Sequence, residues 1–462
     1  MPASRITSWW KTMEVYRHPR AITLLFLGFS AGLPLILVFG TLSFWLREAG
    51  VSRSTIGYFS WIGLAYSVKW VWSPLVDRMP LPLLSRLFGR RRAWLLLSQL
   101  CIIAGLLGMA FTDPVLDLSR MALMAVVVAF SSATQDIVID AYRIESAEQK
   151  LQAALAATYM FGYRIAMITA GAGSLAIAAW ASGGTEGYLP SAWLVSYSVM
   201  AGLMAVGLLT ALVISEPVSK VSKPQLEKRA IDWMERQAHW PQFLVKILGW
   251  FYGAVVCPFA DFFRRYGWHA LLLLALIGTY RISDIVMGIM ANPFYVDLGF
   301  TKTEVATVSK VFGVIMTLLG AAVGGIMTMR FGIMRMLFVG AVLAAITNAL
   351  FSVLAYIGND IVWLTIAISA DNLSAGIATA AFIAWLSSLT NIQYSATQYA
   401  LFSSMMLLVP KFLAGFSGML VDNIGYSAFF ILSALLGVPV LVLIWLANKH
   451  LPSDSGQSSK SD

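Results

Sequence analysis

Runs of about 20 predominantly apolar residues recur along nearly the whole chain. Each is long enough to cross a hydrocarbon core about 30 Å thick as a helix. In lipid the backbone must satisfy its own polar groups, so such a chain folds as a helical bundle or a closed barrel. A barrel would need alternating segments of about ten residues, and the apolar runs here do not alternate. Composition agrees: 59% of the 462 residues are hydrophobic and only 12% are charged, against about 25% charged in soluble domains. The expected fold class is an all-α membrane protein whose main surroundings are the lipid bilayer.

Twelve transmembrane helices are expected, at about 21–46, 54–77, 93–112, 118–142, 151–180, 191–214, 269–292, 302–328, 334–357, 361–386, 396–420 and 426–447. The sixth and seventh are separated by a polar connector. Its stretch 243–263, bracketed by Lys246 and by Asp261, Arg264 and Arg265, either spans or lies flat as an amphipathic interfacial helix. The in-plane reading keeps the Lys/Arg clusters at 78–92, 143–150, the connector and Arg330/Arg335 on one side, as the positive-inside rule requires. The chain then divides into a cytoplasmic segment 1–20, a six-helix half 21–215, a cytoplasmic connector 216–268, a second half 269–448 and a disordered cytoplasmic tail 449–462. The net charge of +9 is loop bias of this kind and implies no nucleic acid. Cys101 and Cys257 in apolar context and four scattered histidines offer no disulfide framework and no metal set. No nucleophile–histidine constellation is visible, so no enzyme and no cofactor are expected. Arg17-His18-Pro19-Arg20 precedes a first span too long for a cleavable signal.

An internal repeat refines the architecture. Glu48-Ala49-Gly50-Val51-Ser52-Arg53-Ser54 and Asp297-Leu298-Gly299-Phe300-Thr301-Lys302-Thr303 share the pattern acidic–x–Gly–apolar–hydroxyl–basic–hydroxyl, after the first span of each half. Two parallel six-helix halves joined by a long connector form the major facilitator arrangement. Ser73-Pro74-Leu75-Val76-Asp77-Arg78 and the later Gly89-Arg90-Arg91-Arg92 resemble that superfamily's cytoplasmic loop motif, with Ser73 replacing a glycine and a ten-residue insertion. Asp77, Arg78, Asp140 and Arg143 are the expected gate, an acidic helix end holding an arginine.

Ionisable side chains deep in the spans are costly and point to function, or else to structural ion pairs. They are Asp136, Asp140, Asp284, Asp371, Lys69, Arg164, Arg281 and Lys411. Asp136, beside Gln135, is the first candidate for proton coupling, followed by Asp284. Asp140 falls near the cytoplasmic surface and is the weaker third candidate. Arg281 and Asp284 share a helix face. So many cations exceed what a neutral cargo needs, and an arginine fork grips a carboxylate. An anionic substrate is expected on Lys69, Gln135, Arg164, Arg281 and Lys411. Trp45, Trp61, Tyr163 and Tyr280 suit sugar rings or, alternatively, interfacial belts. Gly32 and Pro34 in the first span and Pro410 in the eleventh are expected helix breaks.

Phe29-Ser30-Ala31-Gly32-Leu33-Pro34, Lys69-Trp70-Val71-Trp72-Ser73-Pro74-Leu75-Val76-Asp77-Arg78, Ser132-Ala133-Thr134-Gln135-Asp136-Ile137-Val138-Ile139-Asp140-Ala141, Gly162-Tyr163-Arg164 and Tyr280-Arg281-Ile282-Ser283-Asp284 resemble the AmpG muropeptide permeases. These belong to the peptide–acetyl-coenzyme A transporter branch of the major facilitators. The resemblance implies a bacterial inner-membrane importer driven by the proton gradient. Its cargo would be N-acetylglucosaminyl-1,6-anhydro-N-acetylmuramyl peptides, large anionic sugar-peptides released in peptidoglycan turnover. It would serve wall recycling and, in some bacteria, β-lactamase induction. A monomer is expected. A permease for another organic anion or peptide, and a non-transporting membrane sensor or enzyme, are the alternatives.

Overall fold

A computed structural model describes residues 18–146, 149–183, 187–217, 228–237, 239–389 and 395–450, and every described element is helical. Among the described residues, ten helices are long and apolar enough to cross a membrane. They coincide with ten of the twelve expected segments. The second segment is interrupted: helices Arg53–Phe59, Leu64–Val68 and Ser73–Arg78 are separated by 3₁₀ turns at Ser60–Gly63 and Lys69–Val71. Pro74 falls in the first turn of the last of these helices, where its missing N–H leaves no intrahelical bond unmade. In the eleventh, the described apolar helix Leu401–Ala414 is short, and Ser417–Lys449 continues past a kink at Gly425.

The expected helix breaks take a different form. Gly32 and Pro34 lie inside one continuous helix, Pro19–Ile36, and the lost hydrogen bonding is absorbed by a π-helical turn, Leu37–Thr41. Within it the Leu37 carbonyl accepts the Leu42 N–H and, as a second donor, the Tyr197 hydroxyl at 2.8 Å. Gly32 serves helix contact, since a Cβ there would come within 2.6 Å of the Tyr163 carbonyl oxygen. Pro410 also sits inside its helix, Ser395–Ala414.

The repeated turns fold identically, for a legible reason. Gly50 and Gly299 take left-handed φ of 81° and 80°, which glycine adopts without penalty. Val51 N–H reaches Leu46 O at 2.9 Å and Phe300 N–H reaches Tyr295 O at 3.0 Å, closing the helix ends as Schellman motifs. Ser52 and Thr301 then cap the next helices by accepting the N–H of Thr55 and Glu304, each at 3.2 Å.

The connector contains helices Lys228–Arg236, Gln242–Phe251 and Cys257–Tyr266, with a π turn between the last two. Phe262 is fully buried against Phe402 of the eleventh segment, so this stretch is docked on the bundle.

Candidate substrate and coupling sites

The interruption of the second span sets the first site. Lys69 opens a 3₁₀ turn, and its Nζ lies 3.7 Å from Asp136 Oδ2 of the fourth span. Among the described residues, Asp136 Oδ1 and both amide atoms of Gln135 are buried without a hydrogen-bond partner, and such groups are uncommon unless a ligand or water satisfies them. Tyr159 and Tyr163 of the fifth span lie within electrostatic reach of Asp136. Arg164, one residue on, has only the Met167 sulfur at 3.4 Å as a described contact.

Lys411 crosses between the halves. Its Nζ donates to the Gly63 carbonyl at 3.0 Å and lies over the rings of Phe39 and Tyr66 at 5.8 and 5.5 Å. Among the described residues, neither Arg164 nor Lys411 has a carboxylate partner. A cation–π contact with a carbonyl bond holds the ammonium without neutralising it, so both cations remain open to an anion.

The second half holds its own cluster. Arg281 Nε lies 3.1 Å from Asp284 Oδ2, an ion pair by distance although that N–H is not aligned for a hydrogen bond. Arg281 Nη1 donates to Thr379 at 2.8 Å. Asp371 of the tenth span accepts from Thr347 at 3.4 Å and lies within electrostatic reach of both Asp284 and Arg281.

Several expected site residues are packing residues instead. Trp45 is 1% exposed and stacks on Trp193 with ring centroids 5.3 Å apart. Tyr280 stacks on Phe382 at 4.5 Å, and its hydroxyl donates to Leu337 O at 3.2 Å. Trp61 stacks on Phe412 and donates to that residue's carbonyl at 2.9 Å, a contact between halves. Asp140, 55% exposed, pairs at 3.4 Å with Arg143 one turn on. That places it toward the exposed end of the span, one turn from Asp136 and within its electrostatic reach. The side chains of Asp77 and Arg78 lie outside the described residues. The arginine motif that follows is held by other acids. Arg91 makes a two-point pair with Glu145 at 2.6 and 3.0 Å. Glu216 accepts the N–H groups of Arg91 and Arg92 at 2.7 and 3.0 Å, a carboxylate on a helix N-terminus.

Two features escape the sequence reading above. One is a clamp between the halves, made by the repeated turns. Lys302 donates to Glu48 at 2.6 Å, while Arg53 donates to Asp297 at 2.8 Å. Glu48 and Asp297 hold one position of the repeat and Arg53 and Lys302 another, so each turn's acid takes the other turn's base. Arg47 also pairs with Asp297, and Tyr426 donates to it at 2.6 Å. Asp422 adds Ser54 at 2.5 Å and Arg53 at 3.3 Å. The matching slots were visible; that they face each other required the fold. The other feature is Lys310, eight residues beyond Lys302 in the eighth span, which counting ionisable residues should have found.

Solved structures with this architecture include carriers. The fold matches the nucleoside transporter NupG at a TM-score of 0.63, with 13% identity over 92% of this chain and 98% of that one. It matches the xylose transporter XylE from E. coli, in a partially occluded inward-open conformation, at 0.63, with 11% identity over 94% and 98%. A family profile described as Major Facilitator Superfamily matches residues 272–461, and one described as Acetyl-coenzyme A transporter 1 matches residues 21–170. The molecule is a major facilitator transporter and not an enzyme. At the level of whole sequences, it is 33% identical to a Rickettsia felis protein named transporter AmpG 4, over 95% of this chain and 99% of that protein. It is also 33% identical to the anhydromuropeptide permease of Escherichia coli K12, over 95% and 82%. The chain belongs to the AmpG family of permeases, multi-pass proteins of the bacterial inner membrane.

Proposed function

We propose that this chain imports anhydro-muropeptides into the cytoplasm for peptidoglycan recycling, by proton-coupled alternating access. Cargo of this class carries several carboxylates and sugar faces. The observation that carries the reading is the pair of intramembrane cations without carboxylate partners among the described residues, Arg164 and Lys411, in a chain 33% identical to an anhydromuropeptide permease. Burying a lone cation in a membrane is expensive unless it meets an anion in the working cycle. Asp136 and Asp284 are the proposed proton carriers, and the proton gradient is the only driving agent. A proton on Asp136 would release Lys69 to a cargo carboxylate, which links the two flows. Twelve crossings, cytoplasmic termini, an in-plane connector and a monomeric unit complete the reading. The clamped end then faces the periplasm.

Uptake of labelled N-acetylglucosaminyl-anhydro-N-acetylmuramyl tripeptide into proteoliposomes tests it. Accumulation should collapse with a protonophore and be blocked by unlabelled muropeptide but not by a simple dipeptide. Equal blocking by the dipeptide would reject the cargo. Asp136→Asn should fold yet lose gradient-driven accumulation, and normal accumulation in that variant would remove Asp136 from the coupling.

A further inference from the structure

Lys310 lies directly behind the clamp, on the seam between the halves. Its Nζ donates to Asn292 Oδ1 at 2.6 Å, and the Asn292 amide reaches Ser43 of the first half at 3.3 Å. Asn292 and Ser43 each stand five residues before the clamp acids Asp297 and Glu48. The first half makes room for the lysine stem: a Cβ on Gly171 would lie 3.2–3.3 Å from its Cβ, Cγ and Cδ, and one on Gly40 would lie 4.0 Å from Nζ. Three π-helical segments meet around its stem, while Asn292 and Ser43 stand on regular α-helices. Lys310 belongs to a π-helical segment, Ala306–Phe312, which packs against the π turn Thr169–Gly173 of the fifth span, and that turn packs against Leu37–Thr41 of the first. Such insertions often mark working sites. Beside them lies a cavity lined by Val38, Phe39, Ser43, Ser60 and Ile289. Among the described residues no carboxylate pairs with Lys310, so its charge is held by one neutral amide.

We propose that Lys310 is a receptor for a cargo carboxylate, masked on Asn292 while the clamp is shut and uncovered when the halves part at that end. This rests on the transport reading above and adds the residue that cargo meets first. Parting the clamp separates Ser43, Gly40 and Gly171 from Asn292 and Lys310. The ammonium is then exposed on the wall of the opening, with a weak partner that an anion displaces.

The test separates receptor from structural tie. Lys310→Met should raise the half-saturation concentration for the muropeptide tripeptide, added at the clamped side, by about tenfold, the scale of one lost hydrogen bond to a charged group. Lys310→Arg should restore most of the affinity, and muropeptide with its carboxylates amidated should not distinguish Lys310→Met from the parent. Asn292→Ala removes the mask, with its bond to Ser43, and keeps the ammonium, so the half-saturation concentration should fall below the parent value. Equal losses in Lys310→Met and Asn292→Ala, or an unchanged half-saturation in Lys310→Met, would overturn the proposal. A second arm needs no transport. With Cys101 and Cys257 replaced by serine, Lys310→Cys should react with an impermeant sulfonate thiol reagent from the clamped side, and faster when Asp297→Asn loosens the clamp. No reaction in either background would also overturn it. A parent that does not take up muropeptide while Lys310→Cys reacts would reject the cargo and keep the site.

Discussion

Lys411 reaches out of the eleventh span into a box of Phe39, Tyr66 and the Gly63 carbonyl, and Arg164 stands in the first half with, among the described residues, a thioether at hand and no carboxylate. A cation so placed contributes binding where the cargo brings the missing charge. Hydrogen bonds to charged groups contribute about 1.5–3 kcal/mol, so Arg164→Ala should raise the half-saturation concentration for anionic cargo about tenfold or more, with the maximal rate less affected. Concentration-dependent uptake measures it, and an unchanged half-saturation would leave Arg164 a structural residue. The charged residues were legible from sequence because a charge in an apolar run is conspicuous whatever surrounds it. The aromatics were not. Trp45 and Tyr280 look like ring platforms until Trp193 and Phe382, distant in sequence, are seen stacked on them. Whether a ring faces a cavity or a neighbour depends on helix rotation, which hydropathy does not encode.

At the scale of elements, the repeated turn does two jobs with one set of residues. Its glycine and hydroxyl end one helix and start the next, and its acid and base tie the halves together. Glu48 and Lys302 are each only about a tenth exposed at the side chain, and Glu48 also accepts from Trp193 at 2.7 Å. Partly buried pairs of this kind suffer far more from losing one partner than exposed pairs do. Lys302→Glu should therefore impair transport or expression strongly by setting two acids together. Glu48→Lys in the same chain should recover a substantial part. No recovery would mean that Glu48 matters through Trp193 rather than through Lys302. The turn's local fold was readable from Gly50 and Gly299 alone. Its mutual docking was not, because the repeat says that two elements are alike and nothing about whether they touch. The helix breaks erred in the same direction: Pro34 predicted a discontinuity, and the chain answered with a π turn that keeps the helix continuous.

For the whole molecule, the clamp and the opposite end form one balance. Alternating access requires that opening one end closes the other, so a lesion at the clamp must be felt at both. Asp297 accepts from Arg47, Arg53 and Tyr426, and Asp297→Asn weakens three contacts at once while leaving the fold's packed interior alone. If together they favour the clamped state by about 2 kcal/mol, a sum of individually modest pairs, their loss shifts the ratio of the two states about thirtyfold. Hydrogen–deuterium exchange reads this directly. Backbone exchange should rise across 41–54 and 292–303, where the clamp loosens. It should fall around 88–92 and 140–146, where Gly89–Arg92, Glu145 and Arg143 gather at the other end. A rise at the clamp without a fall at the far end would mean that the two halves do not rock as units. The shared geometry of the repeated turns would then be a staple between domains, with the path for cargo opening elsewhere.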